Sequence, residues 1–287
     1  MLDHRAKEIV SLISSEYLDG KRIFKSVKDL LEYQIPLGVD YCSKEHARFY
    51  FFLIFNDHGT KSRSLYNKFK LLYKESPDIF SPKHISDNFD GNGSILKTKY
   101  LSNLGLRYPS QSAKSWITNS VILVNDYDAE PLSLFQSTAD AVRLFKKIKC
   151  FRSYGPKTSG LLLRVIRGVG FNRKLHNLAD VPLPVDIHDS RIAYMCGLYR
   201  PKGIDDIYKI YSNPKHISNI ESIWRDAAHK INVRWEDIDR ALWLLGSIGC
   251  VNRLCIDCPI NKFCTVGRSV IDEKIDLFNY SSLQHRR

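Results

Sequence analysis

Four of the seven cysteines crowd into one short stretch, Cys250, Cys255, Cys258 and Cys264, in the pattern C-x4-C-x2-C-x5-C. That spacing lets four thiolates converge from a tight loop onto one metal centre, and it suits tetrahedral zinc and a [4Fe–4S] cluster equally. Such crowding, with an odd total, argues against a secreted disulfide framework. Cys42, Cys150 and Cys196 stand too far apart for a second site and read as small buried hydrophobes. A different chemistry is open to Lys157, in LFKKIKCFRSYGPKTSGLLLRVI (Leu144–Ile166). This stretch has the form of a helix, a tight turn at Ser153–Gly155, and a second helix opened by Pro156. An amine in the first turn of a helix, among other bases, sits where an ammonium is disfavoured, and a neutral amine is a nucleophile that forms Schiff bases. The same place also suits an ordinary phosphate contact. Asp186, in Pro184-Val185-Asp186-Ile187-His188, stands at an expected helix start with Asp189 three residues on. Capping explains it, and so does stabilisation of developing positive charge.

These residues must be held by helices. Apolar residues recur at three- and four-residue spacings in Ala6–Tyr17, Ala47–Tyr73, Ser112–Val124, Ser159–Val169 and Trp235–Ile248, while alternating stretches are scarce. Tyr50, Phe51, Phe52 and Phe55 read as core. Breaks fall at Ser86–Ser94, Asp126–Pro131, Gly168–Pro184 and Pro201–Gly203. No repeat or low-complexity tract interrupts the chain, and only Asn279–Arg287 reads as a polar tail. The 287 residues are 44% hydrophobic and 11% aromatic, ordinary for a globular protein with a real core. The net charge of +12 points to a polyanionic partner. Nucleic acid is favoured over a membrane, because no apolar run approaches the roughly 18 residues a span needs. The N-terminus lacks the apolar core of a signal peptide, so an intracellular protein is expected. From Phe145 to Lys174 there is no acid and there are nine bases: Lys146, Lys147, Lys149, Arg152, Lys157, Arg164, Arg167, Arg173 and Lys174. Such a run serves equally as a solvated face or as a surface for a phosphate backbone.

Taken in order, the motifs resemble the helix-hairpin-helix DNA glycosylase superfamily. Phe151-Arg152-Ser153-Tyr154-Gly155-Pro156-Lys157-Thr158-Ser159 overlays the hairpin signature L-P-G-V-G-x-K-T-A, keeping the second glycine, the lysine and the threonine but placing Ser153 at the first glycine and Arg152 at the proline. Pro184-Val185-Asp186-Ile187-His188 resembles the segment carrying the family's conserved acid. LCIDCPINKFC resembles the cluster loop of the endonuclease III and adenine glycosylase families, although the first gap is two residues shorter than their C-x6-C. Lys157 and Asp186 are 29 residues apart, against roughly eighteen to twenty in the common families, and the longer connection is similar to the archaeal 8-oxoguanine glycosylase branch.

The resemblance implies an all-α, two-lobed fold. A helical barrel would span 46–183, and a second lobe would combine 1–45 with 184–287 and carry the cluster loop 250–264. Duplex DNA would lie across the cleft with Lys157 and Asp186 at its floor. Lys157 would attack C1′ of a flipped nucleotide and expel its base, and Asp186 would stabilise the sugar and relay protons. Arg152, Ser153, Tyr154, Gly155, Thr158, Arg253 and Lys262 become candidate DNA contacts, and His58 takes the position of a residue that fills the gap left by the base. The context favours [4Fe–4S] over zinc, a monomer is expected, and the excised base stays open among oxidised purine, oxidised pyrimidine and a modified base of foreign DNA. A DNA-binding module without chemistry is the competing reading, and it has no need of both Lys157 and Asp186.

Overall fold

The computed structural model describes residues 2–57, 62–89, 91 and 93–267. Its helices are α1 (Leu2–Leu18), α2 (Lys44–Ile54), α3 (Ser62–Glu75), α4 (Pro82–Asn88) and α5 (Ser94–Leu96). They continue with α6 (Pro109–Asp126), α7 (Pro131–Gln136), α8 (Ala141–Ile148), α9 (Pro156–Val169) and α10 (Ile187–Met195). The last are α11 (Ile207–Tyr211), α12 (Pro214–Lys230) and α13 (Trp235–Leu244). Short 3-10 and π turns fill several connections. Among the described residues the fold is all-helical, its one extended pairing an isolated bridge between Asp140 and His176.

Local chemistry explains the boundaries. Proline opens α4, α6, α7, α9 and α12, where its missing N–H costs nothing and its fixed φ is already helical. Ser43, Ser81, Asp140, Asp206 and Asn213 accept a hydrogen bond from a first-turn amide of the helix each precedes. The periodic stretch Ala47–Tyr73 forms two helices, because Asn56 and Asp57 close a turn after α2 and the Asn56 side chain takes the Phe52 carbonyl at 2.7 Å.

The chain divides into two compact units, Met1–Leu30 with Pro182–Arg287, and Leu31–Val181. Residues 31–45 therefore belong with the hairpin unit, whereas the sequence boundary was expected at 45/46. The cause is a buried bidentate pair, Glu32 accepting from Arg164 of α9 at 2.8 and 3.1 Å, which fastens this segment to the unit's central helix. Removing one partner of such a buried pair costs about 3–5 kcal/mol.

The core of the hairpin unit is aromatic. Phe52 stacks on Trp116 at 4.7 Å, with Phe55, Phe69 and Phe80 around the same indole. Tyr50, Phe51, Phe52 and Phe55 are all buried, as their sequence pattern predicts. In the other unit α1 packs against α12 and α13 through Ile9, Val10 and Ile13. No described helix is long and apolar enough to cross a membrane.

Candidate active site and thiol centre

Helix α8 buries Ala141, Leu144, Phe145 and Ile148 on one face and leaves Lys146 and Lys149 in solvent. The chain then reverses through Arg152 and Ser153 into α9. Ser153 holds φ at 67°, the left-handed region where the hairpin signature has its first glycine. The substitution is tolerated because α6 grips the turn. Asn119 accepts from the Arg152 amide at 2.7 Å and donates to the Arg152 carbonyl at 3.0 Å, and the Ser115 and Ser153 hydroxyls bond at 2.7 Å. Asn119 and Ser115 are wholly buried and were not singled out in the sequence; a buried Asn on the apolar face of a helix was the available signal.

Gly155 is the N-cap of α9, with extended backbone and no side-chain cap, so first-turn amides at this end lack the side-chain acceptor that α2, α4, α8, α10, α11 and α12 carry. Lys157 is the second residue of this helix and is half-buried. Arg152 and Gly155 are exposed and Ser153 half-buried, the placement a phosphate contact needs. Tyr154 and Thr158 face inward instead. The Tyr154 hydroxyl donates to the Phe51 carbonyl at 2.6 Å, and the Thr158 hydroxyl to the Gly155 carbonyl at 3.2 Å, so both side chains shape the turn from inside. Arg164, counted among the nine bases, is taken by Glu32 and leaves the basic face. His58 lies outside the described residues.

The long connection after α9 is secured within the hairpin unit. Asn172 donates to the Phe135 and Thr138 carbonyls at 2.8 Å each, and His176 exchanges backbone hydrogen bonds with Ala139 and Ala141. The extra residues between Lys157 and Asp186 thus form a strap over the start of α8.

Asp186 belongs to the other unit and is the N-cap of α10. Its carboxylate accepts from the His188 amide at 2.6 Å and the Asp189 amide at 3.3 Å, while Asp189 accepts from the Asp186 amide at 2.6 Å. This reciprocal capping box fixes the Asp186 carboxylate in one orientation. Burial, with Asp186 and then Asp239 nearby, holds the Asp189 carboxyl well above the usual carboxylate range. Behind the helix start, Gly246 abuts His188: a Cβ there would fall 2.3 Å from the His188 Cβ, so only glycine allows this approach.

Cys250, Cys255, Cys258 and Cys264 line one cavity, walled by Ile192, Met195, Leu245, Leu254 and Ile260. The first ends a π turn that extends α13. The rest follow through successive tight turns, the Cys258 amide bonding the Cys255 carbonyl at 3.2 Å and the Cys264 amide the Ile260 carbonyl at 3.2 Å. Burial, then the neighbouring thiols, pushes Cys250 up to about 12, and burial chiefly pushes Cys258 to about 12 as well. Arg191 of α10 also lines the cavity, with its Nη1 buried and without a hydrogen-bond partner. Among the described residues no group of three or more His, Cys, Asp or Glu side chains is arranged so that it could hold a metal ion.

Two of the three remaining cysteines depart from their reading as small buried hydrophobes. Cys150 is exposed and Cys42 half-buried, its thiol on the Val169 carbonyl at 3.1 Å. Cys196 alone is buried, and it lines the same cavity as the four. Of the loop bases, Arg253 is exposed, whereas Lys262 pairs with Glu8 at 2.8 Å and lies over the Phe263 ring.

No family model matches this sequence. Over 165 residues the chain is 28% identical to the 8-oxoguanine DNA glycosylase/AP lyase of Methanocaldococcus jannaschii. The match takes in 56% of this chain and 75% of that protein. No solved structure matches.

Proposed function

We propose that the protein is a DNA glycosylase with associated AP-lyase activity. The observation that carries this reading is the start of α9, a helix N-terminus without a side-chain cap, on an exposed basic turn, with Lys157 in its first turn. The similarity to an archaeal 8-oxoguanine DNA glycosylase/AP lyase supports it independently.

In this mechanism the α9 amides and Arg152 take a phosphate next to the target nucleotide. The neutral Lys157 amine attacks C1′, the C1′–N bond breaks, and the base leaves with a proton. The lysine–sugar adduct opens to a Schiff base, and loss of a C2′ proton expels the 3′ phosphate by β-elimination. Asp186 stabilises positive charge on the sugar as the base departs. Its capping hydrogen bonds hold it ready for that role without reorganisation. An oxidised purine is the favoured substrate, on the long Lys157–Asp186 connection and on the relative's name. An oxidised pyrimidine and a modified base of foreign DNA follow.

The thiol cavity fits a [4Fe–4S] cluster held by Cys250, Cys255, Cys258 and Cys264. That the four thiols share one cavity supports a bound centre, and the loop's resemblance to the endonuclease III cluster loop is what favours iron–sulfur over zinc. Thiols this reluctant to ionise need a bound cationic centre to become thiolates. When bound, the cluster supplies a structural cross-link that shapes the loop carrying Arg253.

The test is borohydride trapping on duplexes bearing oxidised purines, oxidised pyrimidines or enlarged modified bases. One duplex class should yield a covalent adduct with the wild type and none with Lys157→Ala. No adduct on any duplex, and no gain of abasic sites over Lys157→Ala and Asp186→Asn, would establish a binding module without chemistry.

A further inference from the structure

Every third residue from α8 to the hairpin turn is basic: Arg143, Lys146, Lys149 and Arg152. Residues three apart are neighbours on a helix surface, so this spacing lays the first three as a row along α8 that leads into the turn. All four are exposed, opposite the buried Ala141, Leu144 and Ile148. Lys147, off the row, is half-buried and donates to the Ser137 hydroxyl at 3.0 Å. Between Asp140 and Asp180 the chain has no acid. Asp140 is occupied as the α8 cap, accepting from the Arg143 amide at 2.9 Å and from the Asn177 side chain at 3.2 Å. Among the described residues Lys146 and Lys149 make no ion pair, whereas Arg48, Arg164, Lys230 and Lys262 each hold a carboxylate. The helix is fixed at both ends, by His176 of the strap on Ala139 and Ala141 and by Asn119 on Arg152.

We infer that the outer face of α8 is a second contact with duplex DNA, in which Lys146 and Lys149, with Arg143 behind them, take phosphates flanking the target nucleotide. The inference rests on the glycosylase reading above and adds to it a partner surface beyond the start of α9. Charge and continuity carry it. The row spans about 9 Å at ~1.5 Å per residue, near three nucleotide steps at ~3.4 Å each along one strand. Its last member, Arg152, is the base that takes a phosphate at the hairpin turn in the mechanism above. A face already held at both ends binds with little ordering cost.

Cys150 is a built-in reporter for this face, exposed one turn beyond Lys146 with its thiol on the Lys146 carbonyl at 3.4 Å. The experiment uses the full-length protein and a duplex carrying a stable abasic analogue. It measures N-ethylmaleimide alkylation of Cys150, read on its own peptide by mass spectrometry, and duplex affinity across a salt series for wild type and the double variant Lys146→Gln, Lys149→Gln. The duplex should slow Cys150 alkylation. The double variant should flatten the slope of log affinity against log salt by about 1.8, at about 0.9 per phosphate contact. Its borohydride trapping at saturating duplex should match wild type, because the row does not touch the reacting atoms. An unchanged salt slope, or Cys150 alkylation that the duplex leaves unchanged, would overturn the inference and leave the glycosylase reading standing. Equal protection of Cys150 by a polyglutamate peptide or by an RNA duplex would overturn it too, reducing the face to a general anion surface. A wild type that neither binds nor traps any duplex would overturn the glycosylase reading itself, and this inference with it.

Discussion

Each unit contributes a helix N-terminus bearing one of the two candidate catalytic residues, and the two ends are built in opposite ways. Helix α9 begins on Gly155 with no side chain to take its amides, and its first turn carries a cation. Helix α10 begins on Asp186 inside a complete capping box, and its first turn carries two carboxylates. One end has no side chain of its own capping its first-turn amides. The other satisfies itself internally and in doing so aims a carboxylate. A helix dipole favours negative charge at both, so what separates them is whether the protein or a ligand supplies it.

The largest expected effect comes from removing the amine. Lys157→Ala should abolish the borohydride-trapped adduct, with thermal melts checking that the variant is folded. Next is Asp186→Asn. Asn caps as well as Asp, so stability should hold, while activity falls by about 10²- to 10⁴-fold if the negative charge is what matters. Asp186→Ala should lose the same activity and a further ~1 kcal/mol of stability. Equal activity in Asp186→Asn and wild type would reduce Asp186 to a cap.

Closing the open end is the direct way to break the contrast. A Cβ at Gly155 meets nothing within 4 Å, so Gly155→Asp should fold and gain a cap worth a few tenths of a kcal/mol. Duplex affinity should fall about tenfold, one charge-assisted phosphate bond, as read by fluorescence anisotropy at fixed salt. Unchanged affinity would mean that the α9 amides do not meet DNA. Asn119→Ala should cost about 1–3 kcal/mol by leaving Arg152 backbone groups unsatisfied. The smallest effect is expected at the closed end. Asp189 titrates above its unfolded value, so its contribution is full below the unfolded pKa and is lost as pH rises toward the folded one. Asp189→Asn should remove that part of the loss, so thermal melts between pH 3 and 8 should show a flatter stability curve than wild type.

Much of the site was legible because its signals are local. Pro156 and Gly155 announce the start of α9, Asp186 with Asp189 announces a capping box, and a fifteen-residue run of cysteines can close on itself without help from distant chain. What escaped the sequence depends on partners far away. Ser153 looked like a weakened hairpin, yet its left-handed turn is secured by Ser115 and Asn119, more than thirty residues upstream. Arg164 looked like part of a basic face, but Glu32, 132 residues earlier, takes it inside. Cys196 looked isolated, and Cys150 looked buried, because spacing says nothing about which loop returns to which helix end.

The sequence by itself determined helicity, the helix starts and the order of lysine, carboxylate and thiol loop, since these follow from periodicity, capping chemistry and short loop closure. Only the tertiary structure decided which charges are spent on the interior, which helix end stays open, and that a fifth thiol joins the four. Those outcomes are set by contacts between residues far apart in the chain, and burial alone determines whether a charge or a thiol meets solvent or another side chain.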